Sequence, residues 1–180
     1  MIKYIALLRG INVSGQKQIK MSDLKLLFEE LEFQDVETYI QSGNVIFSFR
    51  TATPKSLEEK IERKITEQFG FQVRVIVKTP DELEFVHNNN PFIKKQKKDV
   101  AQIYFTFLSE TPSIGKIKEL KEVNCSPEEY IIDGKTIYLF LPNGYGKAKM
   151  NNNFFEKRLN VFATTRNWKT VDALFEMAKS

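Results

Sequence analysis

Two apolar rhythms alternate along this chain, and they do so in the same order twice. An alternating stretch makes a strand with one buried face, and a stretch recurring every three or four residues makes a helix with one buried stripe. Residues 2–9 alternate and are rich in Ile, Leu and Tyr. A polar loop, residues 10–20, leads to a helix that Ser22 is expected to cap, with Met21 stapled onto Leu26 and Leu24, Leu27, Phe28 and Leu31 buried. Residues 36–41 and 44–50 read as strands around a Ser42-Gly43 turn, with Val45, Phe47 and Phe49 on one face. Ser56 and Glu59 read as a capping box for a helix through Leu57, Ile61, Ile65 and Phe69. Residues 71–78 close the set as a strand.

After a capping box at Thr79-Pro80-Asp81-Glu82, the segment 87–98 is polar, basic and aperiodic, and reads as a linker. The second half then repeats the order. A strand at 100–108 precedes a helix from Ser113 to Val123. Strands at 129–133 and 136–141 turn at Asp133-Gly134, a strong hairpin signal. A helix at 150–160, a short strand at 161–164 and a last helix complete it. The expected fold class is α+β: a tandem duplication of two ferredoxin-like βαββαβ units with an extra C-terminal helix. The expected boundaries are 1–78 for the first half, 79–98 for the connecting helix and linker, and 99–180 for the second half with the last helix. Ile5, Leu7 and Ile46 would lie on the helix-free face of the first sheet, so the second half is expected to cover that face.

Composition narrows the function classes. The 180 residues hold 27 bases against 23 acids, a net +4, too small an excess to argue nucleic acid or membrane by itself. Splitting at residue 78 gives both halves the same small basic excess. One cysteine, Cys125, excludes a disulfide framework and points to a reducing, cytoplasmic setting. No run reaches membrane-spanning length.

The topology gathers polar loops at sheet ends. In the first half the loop after strand one, with Arg9 and Asn12, meets the hairpin at Gln41, Ser42 and Asn44. In the second half Asn143 to Lys147 meets Thr164, Thr165, Arg166 and Asn167, which lead to Trp168. Residues 9–20 carry Arg9, Lys17 and Lys20 and no acid; residues 142–170 carry six bases against Glu156. A basic, amide-rich edge beside a helix start suits an anion. Arg9 and Arg166 would hold charge, with Lys147 adding to it. Thr164 and Thr165 would donate, and Asn12, Gln41, Ser42 and Asn44 would read polar groups. Trp168 or Tyr145 would offer a ring. The architectural reading stands beside this one: Asn167 caps the helix, the hydroxyls tie down a loop and Trp168 is core.

Other signals fail on their own terms. Gly10 to Gly15 has the spacing of a phosphate-binding loop, but Gln16 and Lys17 follow where Lys and Ser/Thr are needed. SGNVIFSF, residues 42–49, puts Asn44 and Ile46 where an RNA-recognition sheet needs aromatics. KKQKK at 94–98 reads as solvated linker. His87, the single histidine, is expected at the surface, and no histidine metal cluster is available. Cys125 reads as a half-buried structural thiol. The paired glutamates lie on helix faces, and no catalytic constellation emerges.

Three segments are familiar together: YIALLRGINVSG at 4–15, TYIQSGNVIF at 38–47 and ATTRNWKTV at 163–171. They resemble the bacterial family catalogued as domain of unknown function 1697, and the resemblance spans nearly the whole chain. It implies two ferredoxin-like halves in tandem and supplies no activity or substrate. The family pattern near residue 14 is a glycine pair; Ser14 replaces its first member here, implying a stiffer loop. The matching residues include Arg9, Asn12, Gln41, Ser42, Asn44 and Thr164 to Trp168, and a signature centred on loops points to a shared site. The expected function is binding of a small anionic or nucleotide-like ligand, without cofactor or metal. The alternatives are a metal-independent enzyme on such a ligand, or a nucleic-acid-binding module. The sequence does not fix an oligomeric state.

Overall fold

A computed structural model describes residues 1–180. The fold is α+β, with two four-stranded antiparallel sheets. By contact the chain divides into a first unit, Met1–Glu84 with Ala173–Ser180, and a second, Phe85–Asp172.

The first sheet holds β1 (Ile2–Leu8), β2 (Gln34–Tyr39), β3 (Asn44–Phe49) and β4 (Val75–Lys78) in the order β2-β3-β1-β4. Its helices are α1 (Met21–Glu30) and α2 (Pro54–Phe69). Tyr4, Ala6 and Leu8 of β1 join Val45, Phe47 and Phe49 of β3 in a core with Leu24, Leu27, Phe28, Leu57, Ile61 and Ile65. Aromatics knit it: Phe33 stacks on Phe47 at 4.3 Å between ring centres, and Phe28 meets Phe47 edge-on at 5.4 Å. The alternate residues Ile5, Leu7, Ile46 and Ile76 are buried too.

Local chemistry shifts several expected boundaries. α1 begins at Met21 after Lys20 with no side-chain cap, and Leu26 is exposed, so neither the Ser22 cap nor the Met21–Leu26 staple forms. Thr53, not Ser56, caps α2: its hydroxyl accepts from the Ser56 N–H, and Pro54 occupies the first turn, where its missing N–H costs nothing. Gly70 ends α2 at φ 78°, a left-handed conformation glycine adopts without strain. β4 starts only at Val75. As an edge strand it has outward N–H groups that need partners, and α2 supplies them: the Glu62 and Glu58 carboxylates accept from the N–H groups of Val75 and Val77, both at 2.9 Å.

α3 (Pro80–Asn88) forms on the expected capping box, with Thr79 and Glu82 each accepting from the other's backbone N–H. Residues 87–98 are not featureless. Asn90 caps the short α4 (Pro91–Lys94), Phe92 is buried, and Lys98 pairs with Glu129 at 3.0 Å and lies over the Phe140 ring.

The second sheet holds β5 (Ile103–Leu108), β6 (Glu129–Asp133), β7 (Thr136–Phe140) and β8 (Ala163–Asn167) in the order β6-β7-β5-β8. α5 (Ile114–Lys121), capped by Ser113, and α6 (Asn152–Leu159), capped by Asn151, accompany it. Leu108, Ile137, Leu139, Phe155 and Leu159 form a core that takes in Cys125, which is buried rather than half-buried. α7 (Trp168–Lys179) follows β8 without a break, so its start falls in the second unit and its end in the first.

Candidate functional site

At one end of the first sheet three connections are tied together. β1 runs antiparallel to β3 and β4, so the exit from β1, the β2–β3 hairpin and the approach to β4 share that end. The Leu8 N–H donates to Gly43 O at 2.8 Å and the Arg9 N–H to Arg74 O at 2.9 Å. Asn12, at φ 55°, is a bracket: its amide donates to Gln41 O and Ile19 O, and its oxygen accepts from the Ile19 N–H. Asn44, fully buried, donates to Tyr39 O and Ser42 Oγ, locking the hairpin. Lys17 donates to Gln72 O at 2.7 Å. Gly43 must be glycine: at φ 77°, a Cβ there would lie 2.8 Å from side-chain atoms of Leu8 and Ile11. Thus Asn12 joins Gln41 and Asn44 joins Ser42, while the half-buried Arg9 leaves the sheet among them.

In the second unit the expected threshold loop is strand. β8 spans Ala163–Asn167, so Thr164, Thr165 and Arg166 are ladder residues opposite Phe107, Thr106 and Phe105. The pleat sends them to alternate faces. Thr165 turns toward the helices, where its hydroxyl meets that of Thr106 at 2.7 Å and donates to Asn152 Oδ1 at 2.7 Å. Thr164 and Arg166 turn the other way. Arg166 Nη1 donates to Thr164 Oγ1 at 2.8 Å and to Thr165 O at 2.9 Å. Arg166 is 7% exposed, and burial lowers its guanidinium to about 10, with the nearby Tyr145 acting the other way.

The remaining members sit around this strand end. Asn167 accepts from the Thr170 N–H at 2.8 Å and caps α7. Trp168 is half-buried against Phe105 and against His87, whose ring centre is 4.6 Å away. His87 is therefore not a surface residue: Nε2 lies 3.0 Å from Asp172 Oδ1 and Nδ1 3.0 Å from Asn88 Oδ1. Lys147 is exposed in the turn Tyr145–Lys147. Tyr145 accepts from the Asn152 N–H at 3.0 Å and Asn151 from that of Phe154, so the start of α6 already satisfies donors from within.

The second sheet also carries aromatics at the strand positions a base-stacking sheet would use. Phe105, Phe107 and Tyr138 share the face away from the Leu108–Ile137–Leu139 core, on the first and third strands of their sheet. All three are at most 1% exposed, which makes them packing and removes them as a base-stacking platform. No group of three or more His, Cys, Asp or Glu side chains is placed to hold a metal ion.

Two hollows lie outside the expected loops. One, of about 280 Å³, is lined by Glu59, Glu62, Arg63, Thr66, Gln72, Val73 and Arg74, and carries acids and bases in equal number. The other, of about 430 Å³, runs between α5 and α6 past Lys116, Glu119, Leu120, Phe154, Lys157 and Arg158. The second was legible as spacing: Phe154, Lys157 and Arg158 fall at i, i+3 and i+4, one face of a helix.

The family model described as protein of unknown function (DUF1697) matches residues 1–138. Among solved structures, the chain is similar to that of a conserved bacterial protein, SP0830 from Streptococcus pneumoniae, at 26% identity and a TM-score of 0.77, covering 98% of each chain. No curated protein matches the chain.

Proposed function

The chain belongs to the DUF1697 family, whose function is unknown, and from that premise we propose that it binds a small anionic or nucleotide-like ligand through its polar sheet ends. The observation that carries this reading is Arg166. Thr164 Oγ1 and Thr165 O, both neutral, accept from the guanidinium and orient it. Burial weakens its hold on the proton only to about 10, so it stays cationic at neutral pH in a low-dielectric setting. A charge so placed attracts an anion far more strongly than a solvated one does. In the first unit Arg9, on the tied end of its sheet, offers a cation of its own, with the exposed Gln41 beside the Asn12 bracket. Lys147 and the Tyr145 ring supply a further charge and a surface for a flat group. The lone buried Cys125 supports a reducing, cytoplasmic setting.

We also infer that the two units are a tandem duplication of one ferredoxin-like βαββαβ element. Each sheet places its third strand beside its first, its second outside the third, and its fourth on the far side of the first.

The test is a thermal-unfolding screen with ATP, GTP, phosphorylated sugars and dicarboxylates. A binder at a hundred times its Kd should stabilise by about 2.7 kcal/mol. The gain should fall by tenfold or more in affinity in Arg9→Ala or Arg166→Lys. An absence of shift with every anion, or a shift unchanged in both variants, refutes the proposal.

A further inference from the structure

The groove between α5 and α6 has two walls of the same design. Lys116, Glu119 and Leu120 on α5, and Phe154, Lys157 and Arg158 on α6, each stand at i, i+3 and i+4. Glu119 answers Lys116 at 3.1 Å, which leaves the rim positive through Lys157 and Arg158, both exposed. The Arg158 guanidinium lies 4.7 Å over the Phe154 ring, so the floor is aromatic and its lip cationic. Lys157 and Arg158 also answer the negative end of α6, which accounts for their charge but not for the open hollow beside them.

The same chain carries a ridge of the opposite character. α3 buries Leu83 and Val86 and turns Asp81, Glu84 and Phe85 outward, again at i, i+3 and i+4. Phe85 is 58% exposed, flanked by two exposed carboxylates. An apolar ring between acids matches an aromatic floor between bases in spacing and in sign. We propose that the outer face of α3 from one copy of the chain docks in the α5–α6 groove of a second copy. Phe85 then lies along Phe154 and Leu120, and Asp81 and Glu84 meet Lys157 and Arg158. Contact through a few side chains places the association in the weak, transient class. Each copy has one ridge and one groove, so the contact either closes as a two-fold pair or extends head to tail.

Sedimentation analysis from micromolar to millimolar concentration at low salt tests this. Self-association that weakens as salt is added is expected, because the rim charges are solvated. Lys157→Glu with Arg158→Glu, or Asp81→Lys with Glu84→Lys, should each weaken self-association by at least tenfold; mixing these two double variants should restore a mixed complex. All four positions are exposed, and unchanged thermal unfolding of each variant confirms that folding is intact. A chain that stays monomeric throughout overturns the proposal, as does association indifferent to both reversals or a mixture that fails to associate. Binding of an acidic peptide probe at the groove of a monomeric chain likewise overturns it and assigns the groove to a foreign partner.

Discussion

Phe105 pairs across the ladder with Tyr138 on one side and Arg166 on the other, so a phenol and a guanidinium flank one ring on a buried sheet face. Burial acts on the two in opposite directions. It lowers Arg166 to about 10 and, with Asp133 nearby, raises the Tyr138 phenol to about 12. The Tyr138 hydroxyl is buried and has no hydrogen-bond partner, a condition that costs about 1–3 kcal/mol. Tyr138→Phe is therefore expected to raise stability by about 1 kcal/mol in urea unfolding at pH 7. A loss instead would mean that a bound molecule holds the hydroxyl. The variant also separates two alkaline effects. An unfolded phenol ionises near 10 and the folded one near 12, so Tyr138 makes stability fall between those pH values, its contribution being whole below 10. The folded guanidinium releases its proton near 10 and the unfolded one only at higher pH, so Arg166 makes stability rise with pH above about 10. These two slopes oppose each other in the native chain, and Tyr138→Phe should tilt the alkaline dependence of stability toward a rise. Ser14 is a simpler case. It sits at φ 51°, beside Gly15 at φ 73°, in a region that disfavours a Cβ. Ser14→Gly is expected to be neutral or to stabilise by up to about 1 kcal/mol, since relief of strain outweighs the added freedom of the unfolded chain.

Strands and helices were readable where one residue pattern decides them, and misread where a neighbour decides. The stripe of α2 came from its own four-residue step, and the Thr79–Glu82 box from its own two ends. The start of α1 did not, because Ser22 competes with a helix that begins one residue earlier with no side-chain cap at all. The expected strand at 161–164 ends too early because Thr165 and Arg166 look like loop residues. Pairing with β5 claims their backbone, and buried side-chain bonds satisfy their polar groups. The guard on β4 was invisible for the same reason: Glu58, one of the paired glutamates, reads as a solvated helix residue, and only folding turns its carboxylate and that of Glu62 onto the strand. Glu62→Ala is expected to cost about 1.5–3 kcal/mol, as the Val75 N–H loses a charged acceptor and Arg74 its partner at 3.1 Å. Glu58→Ala should cost a similar amount, and the double variant should aggregate on warming through an unprotected edge. Chemical denaturation and light scattering measure the two effects.

At the scale of the molecule, the α+β class and the two antiparallel sheets were legible because hydrophobic period is local and survives without its context. The candidate site was legible in its members and less so in their duties. Asn12, Asn44 and Asn167 hold loops and a helix start, tasks that the sequence does not distinguish from reading a ligand. The first unit is not one stretch of chain, since Ala173–Ser180 belongs with Met1–Glu84. Leu174, Phe175 and Ala178 in that terminal segment are buried. Deleting residues 173–180 is expected to cost about 3–6 kcal/mol from the two larger side chains alone. Hydrogen exchange should then speed up in β1 to β4, far from the deletion in sequence. The same arrangement sets a timetable for synthesis. Met1–Glu84 leaves the ribosome well before Ala173–Ser180, so a nascent chain arrested at residue 172 should display an unfinished, protease-sensitive beginning.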